Sequence, residues 1–208
     1  WRTIDHLNSI SYSPGDSVFF RCGDIFRGSI IVNQSGTSSS GIIFTSYGTG
    51  SKPVISGSEL VSGWTTASSG GYQQATFAMG NVVNFFVDGK EQTIARYPND
   101  HSYLTLDSAQ ILFLKDAALS SVPSSIILNA KVCVHSSQWS WERSTVSSLV
   151  GTQLNFSSPM LRAINNYGYF FYDKLSHLDT VSEWKYDTSN EFASIDEEWK
   201  LIPKEYID

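Results

Sequence analysis

Ser13-Pro14-Gly15-Asp16-Ser17-Val18-Phe19-Phe20-Arg21-Cys22-Gly23-Asp24 opens the most regular stretch of this 208-residue chain, which continues to Gly57. Pro14 presets φ and Gly15 supplies the permissive position of a turn. Four short β-rich runs follow: Val18-Phe19-Phe20-Arg21, Ser29-Ile30-Ile31-Val32, Ile42-Ile43-Phe44-Thr45 and Pro53-Val54-Ile55-Ser56. Gly23-Asp24, Gln34-Ser35-Gly36-Thr37 and Tyr47-Gly48-Thr49-Gly50 separate them with turn chemistry. Val18-Phe19-Phe20 overlays Ile42-Ile43-Phe44 at an offset of 24 residues, and Ile30-Ile31 overlays Val54-Ile55 at the same offset. A repeat of that length, made of short strands and no helix, is the mark of a β-solenoid. Its coils cannot bury their apolar faces singly, so stacked coils share one core. On that reading Phe20, Ile31, Phe44 and Ile55 point into one core, with residues 24 apart stacked. A sandwich also shows strands about 8–12 residues apart, so two repeats leave both architectures open.

Outward from this stretch, Trp1, Ile4 and Leu7 recur on one face of a short helix that ends near Asn8, a candidate polar lid for the first coil. His6 then faces solvent. After residue 58 the 24-residue register is lost. Val82 to Pro98 reads as a hairpin around Asp88-Gly89, with Thr93-Ile94-Ala95-Arg96-Tyr97 returning. An antiparallel hairpin does not belong in a parallel solenoid, so an inserted β subdomain is expected at about 60–160. Ser108 to Leu119 is predicted as a helix capped by Ser108. Strands are predicted at 126–135, 139–146 and 153–156. Tyr169-Phe170-Phe171-Tyr172 then marks a return to the solenoid edge over 161–190. Ser194-Ile195-Asp196-Glu197 is a capping box that opens a tail helix within 191–208.

Apolar residues make up 41% of the chain, aromatics 13% and charged residues 16%, enough apolar side chain for one sizeable core. Lys+Arg 14 against Asp+Glu 20 leaves a net charge of −6 without a basic stripe, which argues against nucleic acid or an acidic membrane as a partner. No apolar run reaches the roughly 18–20 residues of a membrane span. The chain starts at Trp1 with no signal peptide and reads as a processed or trimmed piece. Cys22 and Cys133 match no zinc or redox spacing, and two buried thiols or a disulfide both remain open.

Residues 14–28, from Pro14-Gly15-Asp16 to Arg27-Gly28, resemble the first coils of right-handed parallel β-helix proteins of the pectate-lyase-like superfamily. Gly41-Ile42-Ile43-Phe44 through Tyr47-Gly48 and Lys52-Pro53-Val54-Ile55-Ser56-Gly57 are similar to the same proteins. Val87-Asp88-Gly89-Lys90 to Ala95-Arg96-Tyr97-Pro98-Asn99 is similar to a segment of large secreted β-helix glycosidases. Gly168-Tyr169-Phe170-Phe171 to Leu178-Asp179, with Glu183-Trp184-Lys185-Tyr186-Asp187, resembles that group too. One departure is Ser182, which stands where the group carries Gly before Glu-Trp. The resemblance implies an all-β, right-handed parallel β-helix with an N-terminal capping helix and an inserted antiparallel β subdomain. The organisation expected is cap and first coils at 1–59, insertion at 60–160, return at 161–190 and tail helix at 191–208.

The function implied is carbohydrate-active: polysaccharide degradation of the glycoside hydrolase or lyase type by a secreted, periplasmic or cell-surface protein. The fold itself hosts many activities. The central coils that carry the family's catalytic carboxylates and basic residues are absent, so no catalytic residue transfers, and the 208-residue chain is expected to be an inactive portion of an enzyme. A non-catalytic carbohydrate-binding or adhesive β-helix fragment is the rival reading.

Trp139 and Trp141 are predicted on one face of a strand, where paired rings suit the C–H faces of a polysaccharide or oligosaccharide; packing against the solenoid is the alternative. Arg96 and Arg143 could neutralise a uronate carboxylate or make structural ion pairs. Asp173, Asp179, Glu183 and Asp187 form an acidic run that could act as paired carboxylates, hold Ca²⁺, or lie on an ordinary solvated face. No calcium-loop spacing is present, and no metal or cofactor is assigned. His101, His135 and His177 have no motif partner for a triad.

Overall fold

The computed structural model describes residues 2–68, 70–78, 82–160 and 168–186, together with the backbone of 191–195. The protein is all-β with a few short helical turns, and it divides at Leu60/Val61 into two compact units. No helix among the described residues is long and apolar enough to cross a membrane.

In the first unit a helix at Ile4–Asn8 is capped by Thr3, whose side chain accepts from the His6 amide, and it buries Ile4 and Leu7. His6 lies on its exposed side. Ser17–Arg21 pairs parallel with Ile43–Tyr47, and Ile25–Arg27 pairs parallel with Val54–Ser56. Val18 and Phe20 alternate inward and meet Ile4, Leu7 and Tyr12, with Phe26, Ile30 and Phe44 packed against them. Edge-to-face contacts join Phe20 to Phe26 at 5.1 Å and Tyr12 to Phe44 at 5.7 Å.

The register differs from the 24-residue repeat. Val18 lies opposite Phe44, an offset of 26, and Phe20 lies opposite Ser46. The partner of Val54–Ser56 is Ile25–Arg27 and not Ile30-Ile31. Asn8 supplies the reason. Its side-chain amide donates to Ser29 O and accepts from Ile31 N, both at 2.9 Å, and so takes up groups that a ladder would use. Ile31 and Ile55 are both exposed, while Phe20 and Phe44 share the core.

The second unit is largely antiparallel, and a continuous parallel solenoid does not run through it. Its main sheet has the order Arg96–Tyr97, Gly168–Tyr172, Lys131–Ser137, Ser140–Val150, Gln153–Phe156, Phe113–Lys115, Ser108–Gln110, with Leu104–Thr105 also on Gly168–Tyr172. The strand expected to return to a solenoid edge is thus inside this antiparallel sheet, which extends past the 160 boundary. One face buries Leu114, Ile127, Val132, Val134, Leu154, Tyr169 and Phe171. There the Tyr169 hydroxyl donates to Asp116 Oδ2 at 2.6 Å, and Asp116 also accepts from the Ala118 amide at 2.8 Å.

The helix predicted over 108–119 is instead a hairpin, Ser108–Gln110 against Phe113–Lys115, followed by a 3₁₀ turn at Ala117–Ser121. Ile111 and Leu112, read as helical apolar positions, are exposed at its tip. Ser194 and Ile195 end a strand, Glu191–Ile195, that pairs with Glu183–Tyr186 and Gln73–Thr76, so they do not open a helix. The rest of that predicted helix lies outside the described residues. The hairpin around Asp88-Gly89 forms with φ of +50° and +73° at those residues, pairing Phe86–Val87 with Lys90–Glu91. Thr93–Ile94 then runs parallel to Glu183–Trp184 and not back along the hairpin. Ser182 has φ +68°, the left-handed region, which explains why a glycine suits this position.

Phe171→Ala should cost about 3–5 kcal/mol, the usual range for a fully buried phenylalanine, whereas the exposed Val150→Ala should stay within about 0.5 kcal/mol. Urea unfolding of the two variants tests this. Similar losses in both would contradict the assignment of the core face.

Candidate functional site

Alternation along the strands of the main sheet sends one residue set into the core and the other to the opposite face. Register places Cys133 between Arg143 and Phe170, His135 beside Trp141, and Lys131 beside Tyr172. Tyr103 lies over this face from the segment before Leu104–Thr105. The result is an aromatic surface in which His135, Trp141, Phe170 and Tyr172 stand on strands and Tyr103 covers them from the preceding loop. Trp141 stacks on His135 with centroids 4.5 Å apart and planes 8° from parallel. Tyr103 lies 5.8 Å and Phe170 6.1 Å from the Trp141 ring. Gly168 makes room for Tyr103, since a Cβ there would lie 2.8 Å from Tyr103 Cβ.

Exposure separates the four residues singled out in the sequence. Trp141 is 43% and Tyr103 48% exposed. Trp139 is 87% exposed but sits at the tip of the turn between Lys131–Ser137 and Ser140–Val150, not on a strand beside Trp141. Arg143 is exposed on the strand itself. Arg96 is only 5% exposed. Its guanidinium lies 3.8 Å from the Phe170 ring centroid and 4.8 Å from that of Tyr103, a buried cation–π arrangement. Arg96 Nε donates to Pro98 O at 2.9 Å and Nη2 donates to Ser102 O, with Asp100 at 3.7 Å. Arg96 therefore braces the floor of the surface. Trp141 and Arg143 are the two that reach outward together, and their neighbours Tyr103, Phe170 and Tyr172 are invisible to local sequence patterns because long-range strand pairing assembles them.

The acidic run does not converge. Asp173 pairs with Lys131 at 2.6 Å, and Asp179 accepts from the Thr180 hydroxyl at 3.1 Å. Asp187 lies outside the described residues. Glu183 is 2% exposed; its Oε2 accepts from the amides of Asp179 and Thr180, both at 3.2 Å, while Oε1 has no partner. Burial, only partly offset by these amides, raises the Glu183 pKa to about 7. His177, fully buried with Nε2 2.9 Å from Ile126 O, has its pKa lowered by burial. Among the described residues no three of His, Cys, Asp and Glu come together as a metal site. Cys22 and Cys133 are both free thiols, Cys22 half-buried and Cys133 buried.

No family model matches the sequence, and no curated protein matches it. Among solved structures the chain is similar to a glycoside hydrolase: the TM-score is 0.67 at 17% identity over 89% of this chain. The match spans 36% of the length of that protein. The likeness is one of fold.

The raised pKa of Glu183 sets a direction for stability. Between the ordinary glutamate value and about 7 the folded protein holds a proton that the unfolded chain has released, so this group makes the fold less stable as pH rises across that window. His177 acts with the opposite sign below its ordinary value. Subtracting the unfolding free energy of Glu183→Gln from that of the unaltered protein at several pH values isolates the glutamate. The difference should fall from pH 5 to pH 8, and a difference that rises would contradict the burial assigned to Glu183.

Proposed function

We propose that this chain is part of an extracytoplasmic, carbohydrate-active protein of the right-handed parallel β-helix type. In this reading residues 1–59 are its cap and first coils, and an antiparallel β subdomain begins near residue 60 and presents a glycan-binding face. The observation that carries the binding role is the half-exposed Trp141 ring, held on a strand by parallel stacking on His135 and flanked by Tyr103. An indole immobilised in this way offers a flat apolar face to sugar C–H groups with little side-chain entropy left to lose. Two further observations support the carbohydrate assignment: the parallel ladders of residues 17–56, and the likeness of fold to a glycoside hydrolase.

Within this chain, binding is favoured over hydrolysis or elimination. Of the described carboxylates at 173–183, Asp173 faces a lysine and Asp179 a hydroxyl, while Glu183 is sealed from solvent with Oε2 on two backbone amides and Oε1 without a partner. We assign glycan binding, and no bond-cleaving step, to the face described above.

Affinity electrophoresis through gels containing soluble polysaccharides tests the binding role. Trp141→Ala should weaken retention by about three- to tenfold, the worth of one aromatic contact. Retention unchanged by that substitution would remove the face from consideration. Incubation with neutral and uronate polysaccharides should yield neither new reducing ends nor unsaturated products, and either product would assign catalysis to this chain.

A further inference from the structure

Among the described residues, the aromatic face carries one cation that no carboxylate answers. Lys131 is held by Asp173 at 2.6 Å, and Arg96 is buried on backbone carbonyls near Asp100. Arg143 is exposed, and among the described residues no carboxylate lies within ion-pair distance of it; its side chain contacts the thiol of Cys133, its cross-strand neighbour. Burial pushes that thiol up, so it remains neutral and leaves the guanidinium charge uncompensated. This happens in a chain with net charge −6, where a free cation is not part of a general basic surface.

Trp141 sits two residues before Arg143 on the same strand and therefore on the same face, about 6.8 Å away along the chain. That separation lets a pyranose ring rest on the indole while a charged exocyclic group, or the next ring, reaches the guanidinium. The planar fork of arginine matches the two oxygens of a carboxylate, giving two parallel charge-assisted hydrogen bonds. We infer that Arg143 makes the outer face of this sheet selective for glycans bearing carboxylated sugars, the ring stacking on Trp141 and the carboxylate binding Arg143. The inference rests on the carbohydrate-binding reading of the same face.

Calorimetry with three hexasaccharides separates the two ideas: a uronic acid hexasaccharide, its carboxyl-reduced counterpart with the same linkage, and a sulfated hexasaccharide. The acid should bind about tenfold more tightly than its reduced counterpart, the difference expected of one charge-assisted pair at an exposed site. Arg143→Gln should abolish the difference, so that acid and reduced sugar bind that variant with equal affinity. Arg143→Lys, which keeps the charge and loses the fork, should retain part of the difference. Trp141→Ala should weaken both sugars. Equal binding of acid and reduced sugar by the unaltered protein would overturn the selectivity and leave carbohydrate binding standing. Sulfated sugar binding as tightly as the acid would overturn the preference for carboxylate. Binding of none of the three would overturn both readings.

Discussion

One five-residue strand, Gly168–Tyr172, holds the two faces of the main sheet in relation to each other. It lies between Arg96–Tyr97 on one side and Lys131–Ser137 on the other, so its pleat is fixed from both edges. Tyr169 and Phe171 then enter the core, and Phe170 and Tyr172 face outward. A slip of one residue would invert every side chain, placing a tyrosine hydroxyl that now donates to Asp116 into solvent and two aromatic rings into the wrong layer. Burial of Tyr169 and its hydrogen bond to Asp116 thus sets the register on which the outer surface depends. Phe170 could not sit beneath Arg96, nor Gly168 leave space for Tyr103, in any other alignment.

The outer surface owes its rigidity to the same sheet. All its rings but Tyr103 stand on paired strands, and the neighbours that orient them are themselves packed: His135 under Trp141, Phe170 and Tyr103 about Arg96. Sites supported in this way keep their geometry better than sites on loops. Trp139 illustrates the contrast, since it shares the hairpin with Trp141 but sits 87% exposed at the turn.

Local signals in the sequence foretell local structure. The cap helix follows from Ile4 and Leu7 at helical spacing, and the hairpin at residues 86–91 from Asp88-Gly89, where both residues need positive φ. The adjacency of Val18–Phe20 and Ile42–Phe44 is legible for the same reason, because repeated apolar runs want each other's cover. Its register, Val18 opposite Phe44, is not legible, and the second expected pair fails because a side chain outside the repeat, Asn8, captures Ser29 and Ile31. The segment 108–119 misleads because Ile111, Leu112, Leu114 and Ala118 fit a helical stripe, while pairing with Gln153–Phe156 makes a strand of its centre. The fates of Arg96 and Arg143 are equally hidden. Each is a lone arginine on an alternating run; Arg96 is buried because the strand carrying Phe170, 74 residues away, brings that ring against it beside the local Tyr103, and Arg143 is left exposed.

The central claim is that the outer face of this sheet binds sugar through Trp141. Nuclear magnetic resonance of the ¹⁵N-labelled protein, titrated with a uronic acid oligosaccharide, tests it most directly. The account predicts that the Trp141 indole resonance and the amides of residues 133–145 and 168–172 move together and saturate at one concentration. The buried Trp184 indole, which donates to Gln92 O, should stay in place. Shifts centred on the parallel ladders of residues 17–56 with Trp141 silent would contradict it.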